Sequence, residues 1–150
     1  MSDALFTVRL AQSQDASAIV QLEQQCVHES ESFRGSAQLQ EAAPAIGNNL
    51  DHILTNDNHS VFVITSSDEV CGFAQMEITD SVALVRRVYV HLASRELGAG
   101  ATLIDELRKQ AKLQGCTRID AYALPGDRLT KNLFERAGMK ARLLIASSEL

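Results

Sequence analysis

The stretch HLASRELGAGATLIDELRKQAKLQG, His91 to Gly115, decides how the chain is read. Arg95, Gly98 and Gly100 cluster at its start. Leu103, Ile104, Leu107 and Ala111 then recur at the spacing of one helical face. Glycine costs about 1 kcal/mol relative to alanine inside a helix, so two glycines at a helix doorway need a reason. Either they make a turn, or something large approaches the main chain there. The first amides of a helix have no intrahelical partner and lie at the positive end of its macrodipole, where anions and phosphates bind. Without Cβ atoms, positions 98 and 100 admit a diphosphate to the backbone, and Arg95 adds a fixed positive charge.

Working outward, VALVRRVYVHL from Val82 is a long apolar strand running into the glycine loop, and TRIDAYAL from Thr117 is the strand after the helix. This strand–helix–strand unit, Val82 to Leu124, predicts a parallel pair joined by a right-handed crossover. Upstream, VFVIT from Val61 and VCGFAQMEIT from Val70 flank the turn SSDE and predict an antiparallel hairpin. Phe6 to Leu10 alternates like a half-buried strand. Ala16, Ile19, Leu22 and Cys26 then mark a helix, with Ser13 or Asp15 as its N-cap. A helical region from Ala37 to Leu54 is expected to break at Pro44 and Gly47. After PGD, Asp127 is placed to cap a short helix through Ala137 with Leu129, Leu133 and Phe134 inward, and KARLLIAS reads as a last strand. The expected order is β-α-α-β-β-β-α-β-α-β. That is an α/β fold, one mixed sheet of six to seven strands flanked by helices, in a single domain over residues 1–150.

The 150 residues are 45% hydrophobic and 22% charged, a globular balance. A net charge of -5 without a basic face argues against nucleic-acid binding and mildly favours cationic small partners. Cys26, Cys71 and Cys116 are odd in number and lack metal-ligand spacing, so no disulfide framework or metal site is expected, and a cytoplasmic setting follows. No secretory signal opens the sequence, and no apolar run approaches the ~20 residues of a membrane span.

Two familiar phosphate loops are excluded. The stretch lacks Gly-x-x-x-x-Gly-Lys-Ser/Thr, and it lacks a third glycine in Gly-x-Gly-x-x-Gly because position 103 is Leu. Arg95-Glu96-Leu97-Gly98-Ala99-Gly100, after an apolar strand and opening a helix, instead resembles the Arg/Gln-x-x-Gly-x-Gly/Ala core of the GNAT N-acetyltransferase superfamily. LFERAGM, Leu133 to Met139, is similar to that family's late Leu-Tyr-Glu-Lys-x-Gly-Phe segment. The resemblance implies acetyl-CoA as co-substrate and transfer of its acetyl group, by direct attack, to a primary amine of a small molecule or protein. It further implies that the amides of Glu96, Leu97, Gly98, Ala99, Gly100 and Ala101, with Arg95 beside them, hold the pyrophosphate. Val88, Tyr89 and Val90 would pair with the pantetheine arm, and Val90's amide is the candidate to polarise the thioester carbonyl. Homodimers are frequent in the family.

Acetyl transfer needs a neutral amine, although a free alkylammonium has a pKa near ~10.4, and so it needs a base. It also needs an oxyanion donor and a proton for the leaving thiolate. Phe134 stands where the family has a tyrosine acid, which leaves Tyr122 or Tyr89 as substitutes. Asp127 replaces a frequent Asn and serves either the coenzyme or the helix cap. The usual strand glutamate is missing, and Glu77 is the first candidate base; His91 lies at the end of its strand. His28, Glu29 and Glu31 cluster where such proteins wall the acceptor site and read as a cation site or a solvated helix end. Alternation puts Arg86 and Arg87 on opposite faces of their strand. Lys131 and Arg136 could reach the adenosine 3′-phosphate or simply be solvated. Because of Phe134 and the missing glutamate, the alternative is a CoA-binding module with little or no transferase activity.

Overall fold

The strands between residues 59 and 90 are apolar on both sides because both sides are covered. A computed structural model describes residues 5–150. In it β2 (His59–Ser66), β3 (Glu69–Thr79) and β4 (Val82–Val90) form an antiparallel meander. β1 (Thr7–Leu10) pairs antiparallel with β2, and β5 (Arg118–Ala121) pairs parallel with β4, giving the order β1-β2-β3-β4-β5. On one face Ile64, Met76 and Val85 pack against Leu103, Ile104 and Leu107 of α4 (Ala99–Leu113). On the other, Val61, Val63 and Phe73 pack against Ile19 and Leu22 of α1 (Ala16–Ser30) and Leu50 of α3 (Leu50–Leu54). Near-continuous burial along β2 and β3 follows from this two-sided cover. α5 (Arg128–Arg136) covers the start of α4, where Leu133 meets Gly100.

The expected break at Pro44 and Gly47 is present. α2 (Ser36–Ala42) ends there, and a single 3-10 turn at Gly47–Asn49 leads into α3. A Cβ at position 47 would lie 2.6 Å from Val20 Cγ2, 2.7 Å from Glu23 Oε1 and 2.9 Å from Val20 N. Glycine therefore lets this segment lie directly on α1. The buried carboxylate of Glu23 fixes it, accepting from Ile46 N (2.7 Å) and Gly47 N (2.8 Å).

Two expectations are corrected. The sheet of the described residues has five strands, not six to seven. The strand expected in KARLLIAS carries no regular structure, and its Leu143, Leu144 and Ile145 are 84%, 84% and 81% exposed. Strand propensity measures fit to a pleated neighbour, and β5, only four residues long, offers little surface to pair with. The last link of this segment to β4 is Tyr122 N donating to Val85 O at 3.3 Å. The second correction concerns Arg86 and Arg87. The β3–β4 register jumps from Met76↔Val85 to Gln75↔Arg87, so Arg86 is a bulged residue. The extra residue cancels one alternation, and both guanidiniums reach the same face. Arg86 donates to Ala42 O, and Arg87 donates to Ala43 O (2.9 Å) and Cys26 Sγ (3.2 Å).

Candidate active site

Past the bulge, β4 has a free edge. His91 N donates to Cys71 O at 2.7 Å, so residues 91 and 71 form a hydrogen-bonded pair. In an antiparallel ladder such pairs alternate with pairs whose amides and carbonyls point away from each other. Val90 opposite Gly72 and Val88 opposite Ala74 are the outward-pointing pairs. Their N–H and C=O groups therefore face the side from which β5 has departed, and the two strands enclose a slot between Val88–Val90 and Tyr122. Tyr122 stands at the fork, 37% exposed. A ligand with an amide-bearing arm can add here as a strand would.

The glycine loop closes the upper end of this slot. Gly98 has φ +92 and Glu96 φ +65, two left-handed residues in one loop. A Cβ at Gly98 would touch nothing within 4 Å, so glycine serves the backbone conformation at that position. At Gly100 a Cβ would sit 3.0 Å from Leu133 Cδ1, so this glycine admits α5 against α4. The first bond of the α4 ladder is Thr102 N to Gly98 O at 3.0 Å, which leaves the amides of Ala99, Gly100 and Ala101 ahead of it. Converging amides at a helix N-terminus, beside left-handed loop residues, suit a diphosphate.

Side chains complete the picture. Arg95 turns back from the loop onto β4, with its Nε donating to Val90 O (2.9 Å), its Nη2 donating to Glu29 Oε2 (2.6 Å) and its guanidinium 5.2 Å above the Tyr89 ring. Tyr89 Oη donates to Glu29 Oε1 at 2.7 Å. Burial, reinforced by the bond to Glu29, pushes the Tyr89 phenol well above its ordinary value, so it stays protonated and donates. Glu77 is held by Arg86 (Nη2 at 2.5 Å, Nε at 2.6 Å) and lies 3.4 Å from His59 Nε2. In register Glu77 lies opposite Leu84, whereas Val90 lies opposite Gly72, five residues up β3. At the strand rise that is about 16 Å, so the structure does not bring Glu77 and Val90 to one atom. Asp127 caps α5, accepting from Thr130 N (3.1 Å) and Thr130 Oγ1 (2.6 Å). His91 Nδ1 accepts from Ala93 N at 3.1 Å, a local cap. Phe134 is 7% exposed, in the core beneath α4. His28 and Glu31 pair only loosely, at 3.7 Å on the surface. Among the described residues no three His, Cys, Asp or Glu side chains converge as metal ligands, and no helix is long and apolar enough to cross a membrane.

A family model described as the acetyltransferase (GNAT) family matches residues 18–139. The chain belongs to that family. No curated protein matches it in sequence. Among solved structures, it resembles the transcriptional regulator from Bacillus halodurans C-125 (TM-score 0.71, 21% identity, 97% of this chain and 99% of that one). It also resembles a mutant of the BH1408 protein from Bacillus halodurans (TM-score 0.81, 12% identity, 96% and 99%). A third is AAC(6')-Iy with the bisubstrate analogue CoA-S-monomethyl-acetylneamine (TM-score 0.72, 17% identity, 98% and 100%). At these identities the likeness is one of fold. In this GNAT chain, residues Arg95–Gly100 lie at the end of the free β4 edge. The Glu29–Tyr89–Arg95 network is not legible in sequence: Glu29 stands out only as part of a local acidic cluster, and nothing ties it to residues sixty positions away.

Proposed function

We propose that the protein is an acetyl-CoA-dependent N-acetyltransferase acting on a primary amine by direct attack. The observation that carries this is the free β4 edge at Val88 and Val90, ending in a loop whose amides precede the α4 ladder. The pyrophosphate sits against Glu96–Ala101. The arm then runs down β4, meeting Val90 first and Val88 next. Because the loop follows Val90 in the chain, the thioester lies beyond it, and one outward amide, Val90's or the next at Val88, serves as the oxyanion donor. Val88 lies closer to Glu77, three residues along β3 from its partner Ala74, about 10 Å away. Glu77 then serves as base only through water, or acts by holding Arg86. Tyr122, exposed where β5 leaves β4, protonates the departing thiolate in this reading, a role Phe134 cannot fill. Asp127 supports the site through the α5 cap.

Calorimetry with CoA and acetyl-CoA tests the coenzyme assignment, and thiol release against a panel of primary amines tests transfer. Tight CoA binding without turnover on any amine would favour the binding-module reading, which the apolar Phe134 supports. The three free thiols suit a reducing compartment such as the cytoplasm. We also infer a homodimer, in which a second copy covers Leu143–Ile145 and the outer edge of β5. Three adjacent aliphatic residues this exposed are unusual on an isolated soluble chain, and β5 ends the sheet.

A further inference from the structure

The carboxylate of Glu29 joins the two halves of the site. It sits in the last turn of α1, yet both of its oxygens are held by Tyr89 of β4 and Arg95 of the glycine loop. Tyr89 Oη donates to one oxygen at 2.7 Å, and Arg95 Nη2 donates to the other at 2.6 Å. The same guanidinium donates through Nε to Val90 O at 2.9 Å, using the β4 carbonyl that a pantetheine amide requires. Arg95 thus occupies two places that coenzyme binding contests. The arm competes for Val90 O, and the diphosphate, a charge-assisted partner for guanidinium, competes for Nη2. Glu29 contests nothing with an anion, and it remains fixed by the buried Tyr89.

We propose that Glu29 is the residue that recognises an ammonium of a polycationic acceptor, beside the neutral amine that attacks, and that Arg95 latches it until coenzyme binds. This rests on the coenzyme assignment above. In the ligand-free protein the guanidinium neutralises the carboxylate. Coenzyme draws Arg95 away, and Glu29, 40% exposed, presents an oriented negative charge to an ammonium.

The test is calorimetry on the wild type and Glu29→Gln with two probes, CoA and a conjugate joining CoA through an acetyl bridge to neamine. Glu29→Gln keeps the shape and the Tyr89 bond but removes the charge, and its thermal melt checks the fold. In the wild type the conjugate is expected to bind at least tenfold more tightly than CoA. In Glu29→Gln that gain falls at least fivefold, while CoA itself binds as tightly or more tightly because Arg95 is free. A purely structural glutamate would leave the ratio of the two affinities alone. Heat from CoA with an unchanged gain, or no gain in the wild type, overturns this inference by itself. No heat from either probe overturns the coenzyme reading and this one with it.

Discussion

Along the free edge of β4 the groups offered to a ligand are main-chain amides and carbonyls, those of Val88, Val90 and the turn into α4. The wall facing them, from α1 and the segment before α3, is held by side-chain charge: Glu23 under Ile46 and Gly47, Arg86 and Arg87 on the carbonyls of Ala42 and Ala43, and Glu29 on Arg95. A backbone site needs only the right φ and ψ and the absence of obstruction. A side-chain wall needs particular residues brought together from distant parts of the chain. The first tolerates drift in most side chains, whereas the second can be retuned one charge at a time to suit a different ligand.

The comparison breaks most sharply if the backbone half proves insensitive to its one conformational requirement. Gly98→Val places a β-branched residue at φ +92, where a left-handed L-residue costs about 1–2 kcal/mol and the loop amides must turn. CoA affinity by calorimetry should fall roughly tenfold to a hundredfold, with stability lower by about the 1–2 kcal/mol of backbone strain and no added clash, because no atom lies within 4 Å of the new Cβ. Unchanged affinity would remove the loop from the coenzyme site.

Glu23→Ala attacks the other half. It leaves two buried amides unpaired, and stability by denaturant titration should drop by about 2–4 kcal/mol. Near the folding midpoint acceptor turnover should suffer before CoA binding does. Parallel loss of both would show that the halves are not separable. Gly47→Ala tests the same segment through volume. Its Cβ would fall within 3.0 Å of Val20 and Glu23, and the expected cost is about 1–3 kcal/mol.

A smaller effect concerns Asp15. Hydrogen bonds from Arg9 (2.7 and 2.9 Å), and then from Gln12 N (2.7 Å), hold its carboxyl below the ordinary 3.8. A depressed folded pKa stabilises the protein fully above the unfolded value and is lost as pH falls through the folded one. The wild type should therefore lose stability below about pH 4, with Asp15→Asn showing a shallower acid slope and a cost of about 1–2 kcal/mol at neutral pH. An identical acid limb in both would show that the pair is unformed in solution. Smallest in stability is Leu144→Asp, a change on a fully exposed segment. It should leave melting within about 0.5 kcal/mol yet shift light-scattering mass from dimer to monomer; an unchanged mass would sink the inferred dimer.

Much of the coenzyme half is legible in the sequence. The order of β4, loop and α4, the doorway glycines and the α5 cap at Asp127 lie in contiguous sequence, and local geometry follows from local residues. Two readings fail for want of a neighbour. The apolar run KARLLIAS has strand composition but no strand beside it, since β5 is only four residues long. Arg86 and Arg87 alternate in sequence, but the bulge that puts them on one face arises from how Met76 and Gln75 pair across the sheet. That Gly100 also makes room for Leu133 is a tertiary contact that no local pattern announces.

The sequence by itself determined the α/β class, the crossover and the anion-ready start of α4, because periodicity, helix termini and glycine conformation are properties of neighbouring residues. Only the tertiary structure decided that Val88 and Val90 keep a free edge, that Glu77 lies about 16 Å from Val90, and that Glu29 meets Tyr89 and Arg95. Those facts depend on register and on packing between segments sixty residues apart, and no local pattern encodes which distant charge a side chain will find.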